Sequence, residues 1–432
     1  MTVRARTWEL RFRLREWLDR SWIVIPSAYV VAALVLGKLV PALEGTGAGP
    51  LGLELAPDSA RDILQAVAGG MISFTGLVVS VAVVVVQFGA GQYSPRLVLR
   101  FRRDPAVKHA LGIFIAPALY ALVTLGDVGG PDDERVPNLT VAVAVLLLVG
   151  AIIAFFLLIA RLLDLLRPRR LYDQLRLGCE RAIDQVYPRR LDAAAGAGPP
   201  LELPAAEPVV HRGANGVLSA VDMPRLVRAA ATAGAVVELP VRVGEYVWNG
   251  EPLLLVHGGG AISERELTRA MIVAEERTFT QDPPFALRTI VDIALRALSP
   301  AVNDPTTAVQ ALDTLETLLH RFAGRDLGIG RLLDADGALR VVYPAADWHE
   351  LLDLALTEIR SYGSSSHQIA RRLRALLLGL LAGAPEVRRA AVRHQLALLD
   401  ASVARSFPDG ERELAAVADH TGLGGRTEPR EG

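Results

Sequence analysis

The sequence predicts a mainly α protein: a four-helix transmembrane domain followed by a cytoplasmic α+β region that combines a small β module with a helical bundle. Three observations predict it. Four apolar stretches crowd into residues 1–170, and the charges between them alternate in sign. Beyond residue 208, short β-prone runs give way to long amphipathic patterns. The charge alternation fixes the orientation. Arg4, Arg6, Arg11, Arg13, Arg15 and Arg20 precede the first stretch, and the connection after it holds Glu44, Glu54, Asp58 and Asp62 against Arg61. The next loop carries Arg96, Arg100, Arg102, Arg103 and Lys108 against Asp104. Its successor carries Asp127, Asp132, Asp133 and Glu134 against Arg135, and Arg161, Arg167, Arg169, Arg170 and Arg176 follow the fourth stretch. Because basic excess marks the cytoplasmic side, four spans with both termini inside the bacterial plasma membrane satisfy every loop.

Composition supports the division. A positive mean hydropathy in a chain that is still 22% charged predicts a membrane part joined to a soluble part. The basic residues are 44 arginines and two lysines, and with abundant Ala, Gly and Pro they reflect GC-rich coding rather than a nucleic-acid surface, so no nucleic-acid partner is expected. The lone cysteine, Cys179, excludes an intrachain disulfide and a cysteine metal cluster and reads as an inert apolar residue.

Within the membrane domain, residues 1–170, Leu10, Leu14, Trp17 and Leu18 share one face of a basic amphipathic segment that can lie in the inner headgroup region, or simply extend the first span. The spans run from about Trp22 to Leu39, Ile63 to Phe88, His109 to Leu125 and Leu139 to Ile159, each near the roughly 20 residues a bilayer core requires. Pro117 predicts a bend in the third. In the second span Gly69, Ser73, Gly76, Ser80 and Gln87 fall on one stripe with Asp62, Ala66 and Val83. Small residues at this spacing let helices approach closely; repeated around a ring of subunits, the same stripe would line a narrow watery path. No Asp, Glu, Arg or His lies at mid-depth, which disfavours a proton- or ion-coupled carrier.

Residues 171–208 read as a helix followed by a Pro-, Ala- and Gly-rich linker. Residues 209–260 read as a small β-rich module, with runs at Val217–Val221, Val236–Val241 and Leu253–Val256 and a helix at Met223–Ala233. Val236–Val256 resembles half of a biotinyl/lipoyl-type hammerhead, but no lysine follows Lys108, so a covalently carried cofactor is excluded. Residues 261–406 read as helical. Ser263 with Glu266 predicts a capping box. Leu287, Ile290, Val291, Ala294 and Leu298 predict a buried stripe, with Arg288, Asp292 and Arg296 laddered on another face. Asp304 suits an N-cap and Pro305 the first helical position. Ile369, Leu373, Leu376, Leu377 and Leu380 predict a later core stripe, with Arg371, Arg372 and Arg374 as its solvated face. Residues 407–432 read as a disordered tail. The histidines lack metal-ligand spacing, and no nucleophile stands in an elbow context, so no metal, cofactor or catalytic set is expected.

Gly91-Gln92-Tyr93-Ser94-Pro95-Arg96, Glu276-Arg277-Thr278, Gln281-Asp282, Asp292-Ile293-Ala294 and the run from Ala297 through Asn303-Asp304-Pro305 to Ala308 together resemble the domain of unknown function family 2254, predicted bacterial membrane proteins. The resemblance covers roughly Leu10 to Ser406. It implies a membrane protein without an assigned reaction and marks Arg277, Asp282, Asp292, Asn303 and Asp304 as a candidate cytoplasmic motif. The preferred expectation is a homo-oligomeric pore for ions or small solutes, its cytoplasmic part an assembly platform or gate. The alternative is a membrane-anchored sensor or scaffold whose cytoplasmic part binds a protein or small ligand.

Overall fold

The computed structural model describes residues 21–43, 56–92, 104–126, 138–165, 168–191, 202–328 and 330–425, which divide into an N-terminal unit ending at Arg167 and a C-terminal unit beginning at Pro168. The basic amphipathic segment of residues 1–20 and the part of the Gly91–Arg96 motif from Tyr93 onward lie outside the described residues.

The N-terminal unit is four helices: α1 (Val24–Ala42), α2 (Pro57–Gln92), α3 (Pro105–Leu125) and α4 (Asn138–Leu165). All four are long and apolar enough to cross a membrane. At 1.5 Å per residue, the 36 residues of α2 span about 54 Å, well beyond the hydrocarbon core. The central helix is α3, 56% buried against 17–22% for the others. Two glycines let α1 close on it: a Cβ at Gly112 would lie 2.3 Å from Cδ2 of Tyr29, and one at Gly37 would lie 2.9 Å from Cγ1 of Val123. Phe74 of α2 meets Phe114 of α3 and Phe155 of α4 edge to face, with centroids 5.6 and 5.2 Å apart. Helix directions follow from the ends that meet. Tyr29 near the start of α1 pairs with His109 near the start of α3, so these two run parallel. The Tyr120 hydroxyl, late in α3, donates to the Thr140 carbonyl at the start of α4, and Asp104, the N-cap of α3, pairs at 2.9 Å with Arg161 near the end of α4; these two run antiparallel.

The C-terminal unit opens with α5 (Pro168–Val186). A β module follows, built from β1 (Ala206–Val210), β2 (Gly216–Val221), α6 (Met223–Ala233), β3 (Val236–Glu238), β4 (Tyr246–Val247), β5 (Pro252–His257), α7 (Glu264–Thr268) and β6 (Met271–Ala274). Asp222 caps α6, and Gly234, at φ +65°, ends it. The module is not confined to residues 209–260. β1 begins inside the expected linker, β6 pairs with β2, and a distant hairpin, β7 (Arg331–Leu333) and β8 (Leu339–Val342), joins through a parallel β3–β8 pairing. The result is a five-stranded sheet of order β1-β5-β3-β8-β7 beside a three-stranded sheet β4-β2-β6. Strands of three or four residues are too short to show a period of two, which is why the region after residue 260 reads as helix alone. Nor does Ser263 form its capping box: its side chain makes no cap hydrogen bond, and the helix it precedes has five residues.

The helical layer comprises α8 (Pro283–Ala297), α9 (Pro305–Ala323), α10 (Trp348–Gly363), α11 (His367–Gly383), α12 (Glu386–Ser406) and α13 (Asp409–Ala415). Its core holds the expected Leu287, Ile290, Val291 and Ala294, all of the Ile369–Leu380 stripe, and Trp348, whose indole donates to the Arg388 carbonyl at 3.0 Å. Arg371 and Arg372 are not on a solvated face; they are 7% and 6% exposed. Arg371 donates to the carbonyls of Leu414 and Gly424, and Arg372 to Asp313, at 2.7 Å, and Glu316 of α9. Arg374 pairs with Asp400. The segment that covers Arg371 is the one expected to be disordered. Residues 407–425 contain α13 and a loop wrapped around the buried Asp419, whose carboxylate accepts from the amides of Thr421, Gly422 and Gly424 and from the Thr421 hydroxyl. A buried carboxylate with that many donors fixes a glycine-rich segment that carries little apolar signal.

Candidate functional site

A cleft of about 880 Å³ opens in the C-terminal unit between the β module and the helical layer. Its floor and walls are the end of α5, the start of α6, the β3–β4 connection, the β7 strand, the segment after β8, residues 277–284 and one face of α10. Apolar side chains dominate, among them Val227, Leu239, Val241, Leu332, Leu351 and Leu354.

The best-fixed edge is residues 276–284. Gln281 bonds both backbone groups of one residue on β2: its Oε1 accepts from Val221 N at 2.8 Å and its Nε2 donates to Val221 O at 3.1 Å. The Ser219 hydroxyl donates to the Glu276 carbonyl at 3.0 Å. These bonds hold Asp282 at the start of α8, where it accepts from Phe285 N at 3.1 Å and Pro283 and Pro284 occupy positions that need no amide hydrogen. Arg277 lies on the other side of Asp282, with Nε at 2.9 Å, and its guanidinium stands 5.0 Å from the Phe285 ring centroid. Gly244, at φ +98°, backs the pair: a Cβ there would fall 2.1 Å from Asp282 Oδ2. Burial pushes the Asp282 carboxyl up from its ordinary range, against the opposing pull of Arg277 and the Phe285 amide.

Two tyrosines and further arginines complete the lining. Burial pushes Tyr343 up to about 12, against the pull of nearby Arg189, so its hydroxyl is a donor at neutral pH. Tyr187 is driven up more strongly by burial and bonds the Ala346 backbone. Arg242 reaches Glu350 at 3.0 Å, and Glu350 also closes the capping box of α10 with Asp347. Arg189 and Arg228 are exposed at the rim and make no ion pair among the described residues. Cys179 lies under the first turn of α8, its thiol 3.7 Å from the Pro283 carbonyl and held well above its usual range by burial.

Of the five residues of the candidate cytoplasmic motif, only Arg277 and Asp282 line the cleft. Asp292 pairs with Arg288 at 2.6 Å, and Arg288 also bonds Glu358 of α10, so this group ties two helices together. Asn303, at φ +48°, and Asp304 form the α8–α9 corner. Asp304 accepts from Thr307 N at 3.1 Å and from the Thr307 hydroxyl at 2.6 Å, while its own amide donates to Ala297 O at 2.8 Å. Gln281 stood in the quoted motif without a role, and Arg189, Arg228, Arg242 and Tyr343 carried no local signal.

In the N-terminal unit, Gly69, Ser73, Gly76, Ser80 and Gln87 are all exposed, and a Cβ built at Gly69 or Gly76 meets nothing within 4 Å. The opposite face, with Leu64, Val67, Ala68, Met71 and Val78, packs the helices. Among the described residues, the small-residue stripe therefore serves no helix packing.

The sequence pattern described as predicted membrane protein (DUF2254) matches residues 19–378. The chain belongs to this family. Uncharacterized proteins of Mycobacterium bovis and Mycobacterium tuberculosis are each 30% identical to this DUF2254 chain over 420 residues, covering 94% of it and 80% of the relative. No solved structure matches. The DUF2254 match takes in the four apolar helices and every residue that lines the cleft, and ends within α11.

Proposed function

We propose that this membrane protein is a receptor of the bacterial plasma membrane: its apolar helices anchor it with both termini in the cytoplasm, and its C-terminal unit binds a small ligand in the cleft. One observation carries this reading, a preformed cavity of about 880 Å³ with an apolar lining and a few convergent polar groups. Ligand sites fall in the range of about 300–1,000 Å³ and share that lining. Asp282 is committed to Arg277 and to the α8 cap, which favours binding over acid–base chemistry. Because the walls come from both the β module and α5, α8 and α10, a bound ligand would favour arrangements in which the two layers grip it together.

Thermal unfolding of the full-length protein in nanodiscs, run against a library of small organic compounds, tests this. Stabilising compounds should lose their effect in Leu354→Trp, whose indole would occupy the cleft. Stabilisation indifferent to that substitution, or no stabilising compound at all, would remove the basis for the receptor. A second reading, a homo-oligomeric pore, draws on the stripe from Gly69 to Gln87. It is exposed along its length, and a ring of copies meeting there would set small and polar groups around an axis.

A further inference from the structure

We infer that the ligand of this cleft is an organic anion, a phosphate or carboxylate carried on an apolar body; this rests on the receptor reading above. Five arginines line the cleft, Arg189, Arg228, Arg242, Arg277 and Arg331, against three carboxylates, those of Glu245, Asp282 and Glu350. Two of these carboxylates are already engaged, Asp282 by Arg277 and Glu350 by Arg242. A guanidinium has five donors in a fixed fork, so tethering through one or two of them orients the group without exhausting it. Arg189 and Arg228 add charge at the rim with no ion pair among the described residues. The Tyr343 hydroxyl, kept protonated, is a further donor.

Positive side chains thus outnumber negative ones around a largely apolar space, and three ligand classes fare differently. A cation would meet a net positive lining. Inorganic phosphate would leave the surfaces of Leu332, Leu351 and Leu354 wet. An anionic head on an apolar body satisfies both, with the fork geometry of Arg matching a phosphate or carboxylate through two parallel bonds. A soluble metabolite and an anionic lipid both present this chemistry.

Calorimetric titration of the full-length protein in phosphatidylcholine nanodiscs, corrected with empty nanodiscs, tests the inference with 1-naphthyl phosphate and its neutral analogue 1-naphthalenemethanol. The phosphate should bind at one site per chain, at least tenfold more tightly than the alcohol. The double variant Arg189→Gln/Arg228→Gln should weaken the phosphate at least tenfold, with its melting midpoint kept because both arginines are exposed. Leu354→Trp should abolish binding of both probes. Equal affinities for the two probes, unchanged by the arginine substitutions but lost in Leu354→Trp, would overturn the anionic class while leaving the receptor reading standing. Phosphate binding that survives Leu354→Trp would overturn both. Binding of neither probe would overturn the anionic class, and the compound library then decides the receptor separately. Adding phosphatidylglycerol to the nanodiscs separates the sources: loss of apparent phosphate affinity supports a lipid headgroup as the anion, and unchanged affinity supports a soluble one.

Discussion

Gly244 and Asp282 approach so closely that no side chain fits between them: a Cβ on the glycine would sit 2.1 Å from the carboxylate oxygen that holds Arg277. Gly244 also adopts φ +98°, outside the range that L side chains favour. The β3–β4 turn is thereby shaped by an ion pair contributed from residues 277–282.

Replacing that glycine should therefore disturb the cleft edge and the fold together. Gly244→Ala should destabilise the C-terminal unit by about 1–3 kcal/mol from backbone strain alone, read as a lowered thermal midpoint of the full-length protein. Gly250→Ala, at a similar φ of +92° but in open space, separates strain from crowding. An equal effect at both positions would show that the ion pair yields freely.

Asp282 gives a pH dependence with a defined sign. Its folded-state pKa is raised by burial, so the native state binds its proton more readily than the unfolded chain does. The stability it contributes is fully present below the unfolded carboxylate value of about 3.9 and is lost as pH rises through the raised folded value. Asp282→Asn keeps the cap and removes the titration. The stability of the wild type relative to Asp282→Asn should accordingly fall from acid toward neutral pH; a difference that rises over that range would reverse the assignment.

At the α8–α9 corner, Asp304→Ser preserves an oxygen for Thr307 N and should be nearly neutral. Asp304→Ala should lower stability by about 0.5–2 kcal/mol. If both variants eliminate a cellular phenotype while the melting midpoint stays unchanged, Asp304 does more than cap α9.

The orientation is checked by labelling in intact cells. Probes at Gly47 and Gly129 should be reached from outside, and probes at Arg100 and Gly432 only after permeabilisation. Arg100 is preferable to Asp104, which is buried against Arg161. Labelling of Arg100 in intact cells would invert the topology.

Cysteine substitutions along α2 separate a pore from an anchor, since a thiol must be ionised by water to react quickly with a charged reagent. In a pore, Ser73→Cys and Ser80→Cys should react while Val78→Cys, on the packed face, stays silent, and reconstituted liposomes should conduct. Unreactive positions along the whole stripe with electrically silent liposomes would leave α2 as an anchor.

What could be read from the residues alone tracks how local the determining physics is. The four apolar helices, the α6 helix and the Asp304 corner depend on neighbours within one or two turns, and each is legible as spacing. Arg371 and Arg372 were misplaced because a helical pattern reports which face is charged and not what covers it. Here the cover is Leu414 and Gly424 for one and Asp313 and Glu316 for the other. The cleft was half legible. Arg277 and Asp282 sit in a compact motif, whereas Tyr343 and Arg242 face the same space only because two distant strands pair.

That pairing also orders events in time. Val237 of β3 waits for Val341 of β8, which the ribosome delivers roughly a hundred residues later, and contacts so far apart in sequence form slowly. The apolar helices precede both strands in the chain, so they can be delivered to the bilayer while the central sheet is still missing a strand. The cleft is consequently a late product of synthesis, and until β8 emerges the β3 edge that receives it stays open to other chains.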